Sequence, residues 1–157
     1  MGSGIAQVAA TAGFKTILFD LNDEVIQKAK IKIQKDLQIS VEKQKISLEK
    51  KENILQNFFF TSNNKDCVAD VIVEAIIEKL ELKTLLFNQL AELNPVETIF
   101  ATNTSSLSVS AIAGEIPYPE RIGGLHFFNP APIMKLVEVV KADQTSDATI
   151  AKLVELW

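Results

Sequence analysis

A chain of 157 residues has room for one domain with a sizeable core, and not for two ordinary ones. With 47% hydrophobic and 23% charged residues it reads as a soluble globular protein, and no apolar run approaches the roughly 18 residues of a membrane span. A net charge of −4 argues against nucleic acid as a partner, while a single cysteine, Cys67, excludes an internal disulfide and fits a cytoplasmic setting.

The chain alternates short β-rich runs with helical patterns, which predicts an α/β fold with a mainly parallel sheet. Ile5 to Ala10 reads as a helix stopped by Gly13. A compact strand over Lys15–Phe19 ends in an acid, Asp20. Asn22 is a plausible N-cap for a helix through Asp36, and a second helix is expected from about Val41 to Asn57. These two make a helical hairpin inserted between strands. Strands follow at Phe58–Thr61 and Asp70–Glu74, then an amphipathic helix over Leu80–Leu93 ended by Asn94-Pro95. Thr98–Ala101 is a further strand leading into the polar turn Thr102–Ser106, with a short helix near Val109–Ala113. Arg121–Phe128 and Lys135–Val140 read as two more strands, and Thr145-Ser146-Asp147 caps a last helix.

Both ends are unusual: a helix opens with no strand before it, and another stops at Trp157 without a cap. The chain is expected to be a piece of a longer one. A dinucleotide-binding unit needs strand, glycine-rich turn, helix, second strand and then an acid. The helix, second strand and Asp20 are present. Gly2-Ser3-Gly4 does not open the fingerprint, because position 7 is Gln7; Gly2 is better read as its last glycine. The first strand and leading glycines then lie upstream of Met1. An acid at position 20 would hold the adenosine ribose and favours NAD over NADP, whose 2′-phosphate it would repel. Residues 1–157 are thus expected to form one Rossmann-like, doubly wound domain lacking its first strand. The open sheet edge beside that strand would invite self-association.

His126 is the only histidine and stands at the end of an apolar strand, where open α/β sheets bind ligands. It is a structural histidine or a general base able to take a proton from an alcohol. Glu138, in an otherwise apolar strand, is a surface glutamate or the partner that orients His126. The cluster Asn103 to Ser106 is a turn and cap, or a set of groups that hold a substrate oxygen. Glu74 and Glu78 read as acids favoured at a helix N-terminus. Residues 24–57 carry eight lysines against five acids, a solvated face or a receiver of phosphorylated ligand. One His and one Cys make no zinc site, and Ser105 lacks the G-x-S-x-G elbow of a hydrolase.

Four segments in register resemble the 3-hydroxyacyl-CoA dehydrogenase family: Glu74–Glu78, Asn103–Leu107, Gly124–Pro130 and Pro132–Val139. The resemblance spans essentially the whole chain, hairpin included, and bacterial 3-hydroxybutyryl-CoA dehydrogenases look similar throughout. It implies oxidation of an L-3-hydroxyacyl-CoA to the 3-ketoacyl-CoA with NAD as cofactor. His126 would then be the general base, oriented by Glu138, with Ser105 on the reacting oxygen and Asn129 helping to hold substrate. Gly2 and Asp20 would bind the nucleotide, Glu78, Lys83 and Asn103 would line the nicotinamide side, and Lys43 would meet the phosphates of CoA. The family's C-terminal helical domain, which lies outside this sequence, supplies most of a homodimer interface in the full-length protein, so this polypeptide alone is expected to turn over little. A non-catalytic nucleotide-binding module and an NAD dehydrogenase of a free hydroxy acid remain as competing readings.

Overall fold

The computed structural model describes residues 1–157, which divide into two compact units. The first comprises Met1–Asp66 and Pro130–Ile133; the second comprises Cys67–Asn129 and Met134–Trp157.

In the first unit, helix α1 (Gly2–Ala12) leads into strand β1 (Thr16–Phe19) through Gly13, whose φ of 103° is a left-handed conformation that glycine adopts without penalty. Helix α2 (Asp23–Glu42) begins where the Asn22 side chain accepts the Glu24 N–H at 2.8 Å. It runs past the expected end at Asp36. Helix α3 (Leu48–Gln56) starts seven residues later than expected, capped by Ser47 accepting the Lys50 N–H at 3.0 Å. Between them Gln44 takes a left-handed φ of 55°, while its N–H and that of Lys45 close back onto Val41 and Ser40. Strand β2 (Phe58–Thr61) pairs parallel with β1, from Thr16 opposite Phe58 to Phe19 opposite Thr61.

Ala10, Ile33, Leu37 and Ile54 form the buried core of this unit, packed on by Leu18, Phe58 and Phe60. One apolar stripe from each helix therefore meets the strand pair. Burying Ile33 and Ile54, each 1% exposed, contributes about 1.5–3 kcal/mol apiece. The hairpin is thus anchored by the same core that holds β1, and β1 in turn fixes where Asp20 emerges.

The second unit is a four-stranded sheet in the order β3-β4-β5-β6. β3 (Val71–Glu74), β4 (Ile99–Thr102) and β5 (Ile122–Phe127) run parallel, and β6 (Val137–Val140) returns antiparallel along β5. Helices α4 (Leu80–Leu93), α5 (Val109–Gly114) and α6 (Asp147–Leu156) complete it. Every residue of β4 is buried, as befits a strand with neighbours on both sides. β5 carries Gly123 and Gly124 for close packing. A Cβ on Gly123 would lie 2.8 Å from Leu153 Cδ1 of α6, and one on Gly124 would lie 2.8 Å from Val140 Cβ of β6.

The strands do not hydrogen-bond as one sheet. β1 has a ladder partner only in β2, and β3 only in β4, so each keeps one edge unpaired. Three parallel pairs and one antiparallel pair nonetheless bear out the mainly parallel α/β reading.

Candidate functional site

In the first unit, α1 opens with no acidic residue in its first turn and no side-chain cap. The first N–H groups to find an acceptor are those of Gly4 and Ile5, both on Met1 O, so the N–H groups of Gly2 and Ser3 remain available. Asp20 follows β1, held there by its N–H donating to Thr61 O. Its Oδ1 accepts the Asn22 N–H at 2.9 Å and its Oδ2 has no partner. Lys43 is exposed at the C-cap of α2, where the negative end of the helix dipole favours a cation.

In the second unit, antiparallel pairing sets His126 directly opposite Glu138. His126 Nδ1 lies 2.8 Å from Glu138 Oε2. A carboxylate on Nδ1 favours the tautomer that carries its proton there and presents Nε2 as an acceptor. The imidazole is 21% exposed and the carboxylate 54%, so the pair stands at the surface, bridging β5 and the edge strand β6. The Phe128 ring packs against the imidazole at 4.8 Å. Asn103 reaches across from the end of β4, its Oδ1 accepting the Phe127 N–H at 2.8 Å, one residue from His126. Asn129 is exposed just beyond β5 and makes no intramolecular hydrogen bond.

At the ends of β3 and β4 a chain of polar contacts runs from the core to the surface. Glu74 is the last residue of β3 and pairs in register with Thr102, the last of β4. Its Oε2 accepts the Thr102 hydroxyl at 2.8 Å, and its Oε1 accepts the Ile76 N–H at 2.6 Å and Lys83 Nζ at 2.7 Å. The Lys83 side chain is 1% exposed, and its ammonium also meets Glu78 Oε2 at 3.1 Å. Glu78 Oε1 in turn accepts the Thr104 hydroxyl, together with the Ser106 hydroxyl and the Ser105 N–H, each at 3.2 Å. Ser105 is exposed, and its own hydroxyl is unpaired. Desolvation pushes the Glu78 carboxyl up, but the Thr104 hydrogen bond, Lys83 and Ser106 together outweigh it and bring the pKa from 4.5 to about 2. Glu78 is therefore a fixed anion at neutral pH and no proton donor.

The second unit thus holds a buried carboxylate, an imidazole near a strand end and unpaired hydroxyl and amide groups, a set of groups suited to an alcohol or ketone. The sequence profile of the 3-hydroxyacyl-CoA dehydrogenase NAD-binding domain matches residues 1–157. The chain belongs to the 3-hydroxyacyl-CoA dehydrogenase family.

Within that family it is 45% identical to 3-hydroxyadipyl-CoA dehydrogenase of Escherichia coli K12, an alignment covering 99% of this chain and 33% of that protein. It is 40% identical to the mitochondrial hydroxyacyl-coenzyme A dehydrogenase of Sus scrofa, covering 99% of this chain and 52% of the relative. The crystal structure of 3-hydroxybutyryl-CoA dehydrogenase from Escherichia coli K12 superposes with a TM-score of 0.97 at 44% identity, over 99% of this chain and 33% of that one. The chain thus spans a third to about half of the length of these relatives. The agreement in structure establishes the Rossmann-like fold.

As the NAD-binding domain of this dehydrogenase family, the first unit fits a dinucleotide on its own geometry. The uncapped start of α1 offers two N–H groups and a positive dipole end to a pyrophosphate, and Gly2 adds no side chain in the way. Asp20 keeps a carboxylate oxygen free for ribose hydroxyls.

Three residues of this domain carry more than their sequence signal suggested. Glu74 read as an acid beside a helix start, yet its side chain is fully buried. Thr102 and Thr104 looked like ordinary turn residues, yet each donates to a buried or fixed carboxylate. The available signal was the acid directly after Val71-Ile72-Val73, since an apolar strand rarely ends in a buried charge without a partner.

Proposed function

We propose that this chain is the nucleotide-binding domain of an enzyme interconverting L-3-hydroxyacyl-CoA and 3-ketoacyl-CoA with NAD(H), acting on short acyl chains such as 3-hydroxybutyryl-CoA. The observation that carries this reading is the His126–Glu138 pair at 2.8 Å, set in a chain whose full length fits the family profile. NAD, held by Gly2 and Asp20, would supply the hydride acceptor for C3 of the alcohol. His126 Nε2 takes the hydroxyl proton as the carbonyl forms, and Glu138 offsets the positive charge that develops on the imidazole. The Ser105 hydroxyl donates to the reacting oxygen, and Asn129 holds the substrate beside it. Gly2 and Asp20 bind the pyrophosphate and adenosine ribose.

Glu78, Lys83 and Asn103 shape the nicotinamide side, with Lys83 acting through Glu78 because its ammonium is buried. Lys43 and its neighbouring lysines meet the phosphates of CoA. The full-length protein is read as a cytoplasmic homodimer, and the single cysteine of this chain is in keeping with that compartment.

The test is NADH-dependent reduction of acetoacetyl-CoA by the full-length protein, followed beside free 3-keto acids. Turnover confined to the thioester is expected. Equal or better turnover of a free acid would replace the CoA reading, and nucleotide binding with no turnover of either would favour a non-catalytic module.

A further inference from the structure

We infer that Glu74 is a positioning residue for this site: by holding Lys83 between itself and Glu78, it fixes the turn that carries Ser105. The chain of contacts is continuous. Glu74 receives three donors, Lys83 Nζ, the Ile76 N–H and the Thr102 hydroxyl, so both of its oxygens are hydrogen-bonded in a dry environment. The Ile76 bond bends the chain after β3, so that Glu78 lies within 3.1 Å of the same ammonium. Glu78 then anchors Thr104, Ser105 and Ser106 through its other oxygen.

Two carboxylates share one ammonium, so the cluster has a net charge of −1. Removing the Glu74 charge leaves Lys83 with Glu78 as its only anionic partner. The ammonium is then free to draw Glu78 away from the Ser105 N–H and the two hydroxyls. A hydrophobic or uncharged residue could fill the volume of Glu74, but could not hold the ammonium at this distance from Glu78. Glu74 touches neither substrate nor cofactor in this role.

The experiment compares Glu74→Gln, Glu78→Gln and the double variant in the full-length protein. Its kinetic arm rests on the proposed function; its exchange arm does not. In Glu74→Gln, exchange at the Ser105 amide should accelerate by about 10-fold, the scale of losing a hydrogen bond to a charged group. The Thr149 amide, capped by Ser146 in α6, serves as the control and should not change. In acetoacetyl-CoA reduction, Glu74→Gln should lower kcat by about 10-fold, the scale of a small misplacement at reacting groups. It should lower kcat little further when Glu78 is already Gln, because both act along one path.

Equal acceleration at Ser105 and Thr149, or kcat losses that multiply in the double variant, would overturn the inference and make Glu74 merely structural. Inactivity of the unsubstituted protein would overturn the proposed function, while the exchange result would still decide the role of Glu74. Should Glu74→Gln fail to fold, Thr102→Val removes one donor to the same carboxylate without changing charge, and carries both readouts.

Discussion

One nitrogen of the His126 imidazole faces Glu138, and under the proposed function the other meets the substrate. Replacing Glu138 with Gln keeps the volume and removes the charge that favours the imidazolium. Because Glu138 is 54% exposed, water takes over part of its role. The expected loss in kcat is therefore about 10- to 100-fold, below the ~10⁴ of a buried triad carboxylate. An unchanged melting temperature would show that the loss is chemical.

Glu78 gives a second test at this scale. It stays ionised in the fold down to about pH 2, whereas in the unfolded chain it titrates near 4.5. Between those values the unfolded chain binds a proton that the native one does not. The stability from Glu78 is thus present above pH 4.5 and is lost as the pH falls towards 2. Urea unfolding over that interval should fall off more steeply in the native protein than in Glu78→Gln, and parallel curves would contradict the geometry. The places of His126 and Asp20 near strand ends were legible in the sequence, because each comes at the close of an apolar run. Glu74 was not, since its buried pairing depends on α4 folding Lys83 back over the strand ends, nine residues on.

Among elements, the β5–β6 pairing decides the site, because its register places His126 opposite Glu138. Gly124 permits that pairing: an added Cβ would meet Val140 Cβ at 2.8 Å, and neither atom lies on a flexible side-chain end. Gly124→Ala should therefore push β6 off β5 and cost about 1–3 kcal/mol, the usual range for overpacking. Urea denaturation checks the cost, and kcat should fall with it as the imidazole loses its partner. Most elements were legible from period and caps, including Asn22 and Ser146, whose side chains accept first-turn N–H groups as N-caps should. The hairpin corner was not. Gln44 closes α2 in a left-handed conformation that sequence signals reserve for glycine or asparagine, so nothing marked 43–47 as the break.

For the molecule as a whole, the family was legible because four separated segments fall in the right order, and the profile match over residues 1–157 agrees. The division into two compact units was not, because no linker composition marks any of the three boundaries. Under the proposed function the first unit holds the nucleotide at Gly2 and Asp20, and the second handles the proton at His126 and Glu138. The proposed function turns on His126 and Glu138 acting as acid and base. The decisive measurement is acetoacetyl-CoA reduction at 340 nm by the full-length protein and its His126→Ala variant, with NADH binding measured in both. Loss of kcat by at least about 10²-fold, as expected for a general acid–base group, with NADH binding retained, is the predicted result. Near-native kcat in His126→Ala would contradict it and return the imidazole to a structural role.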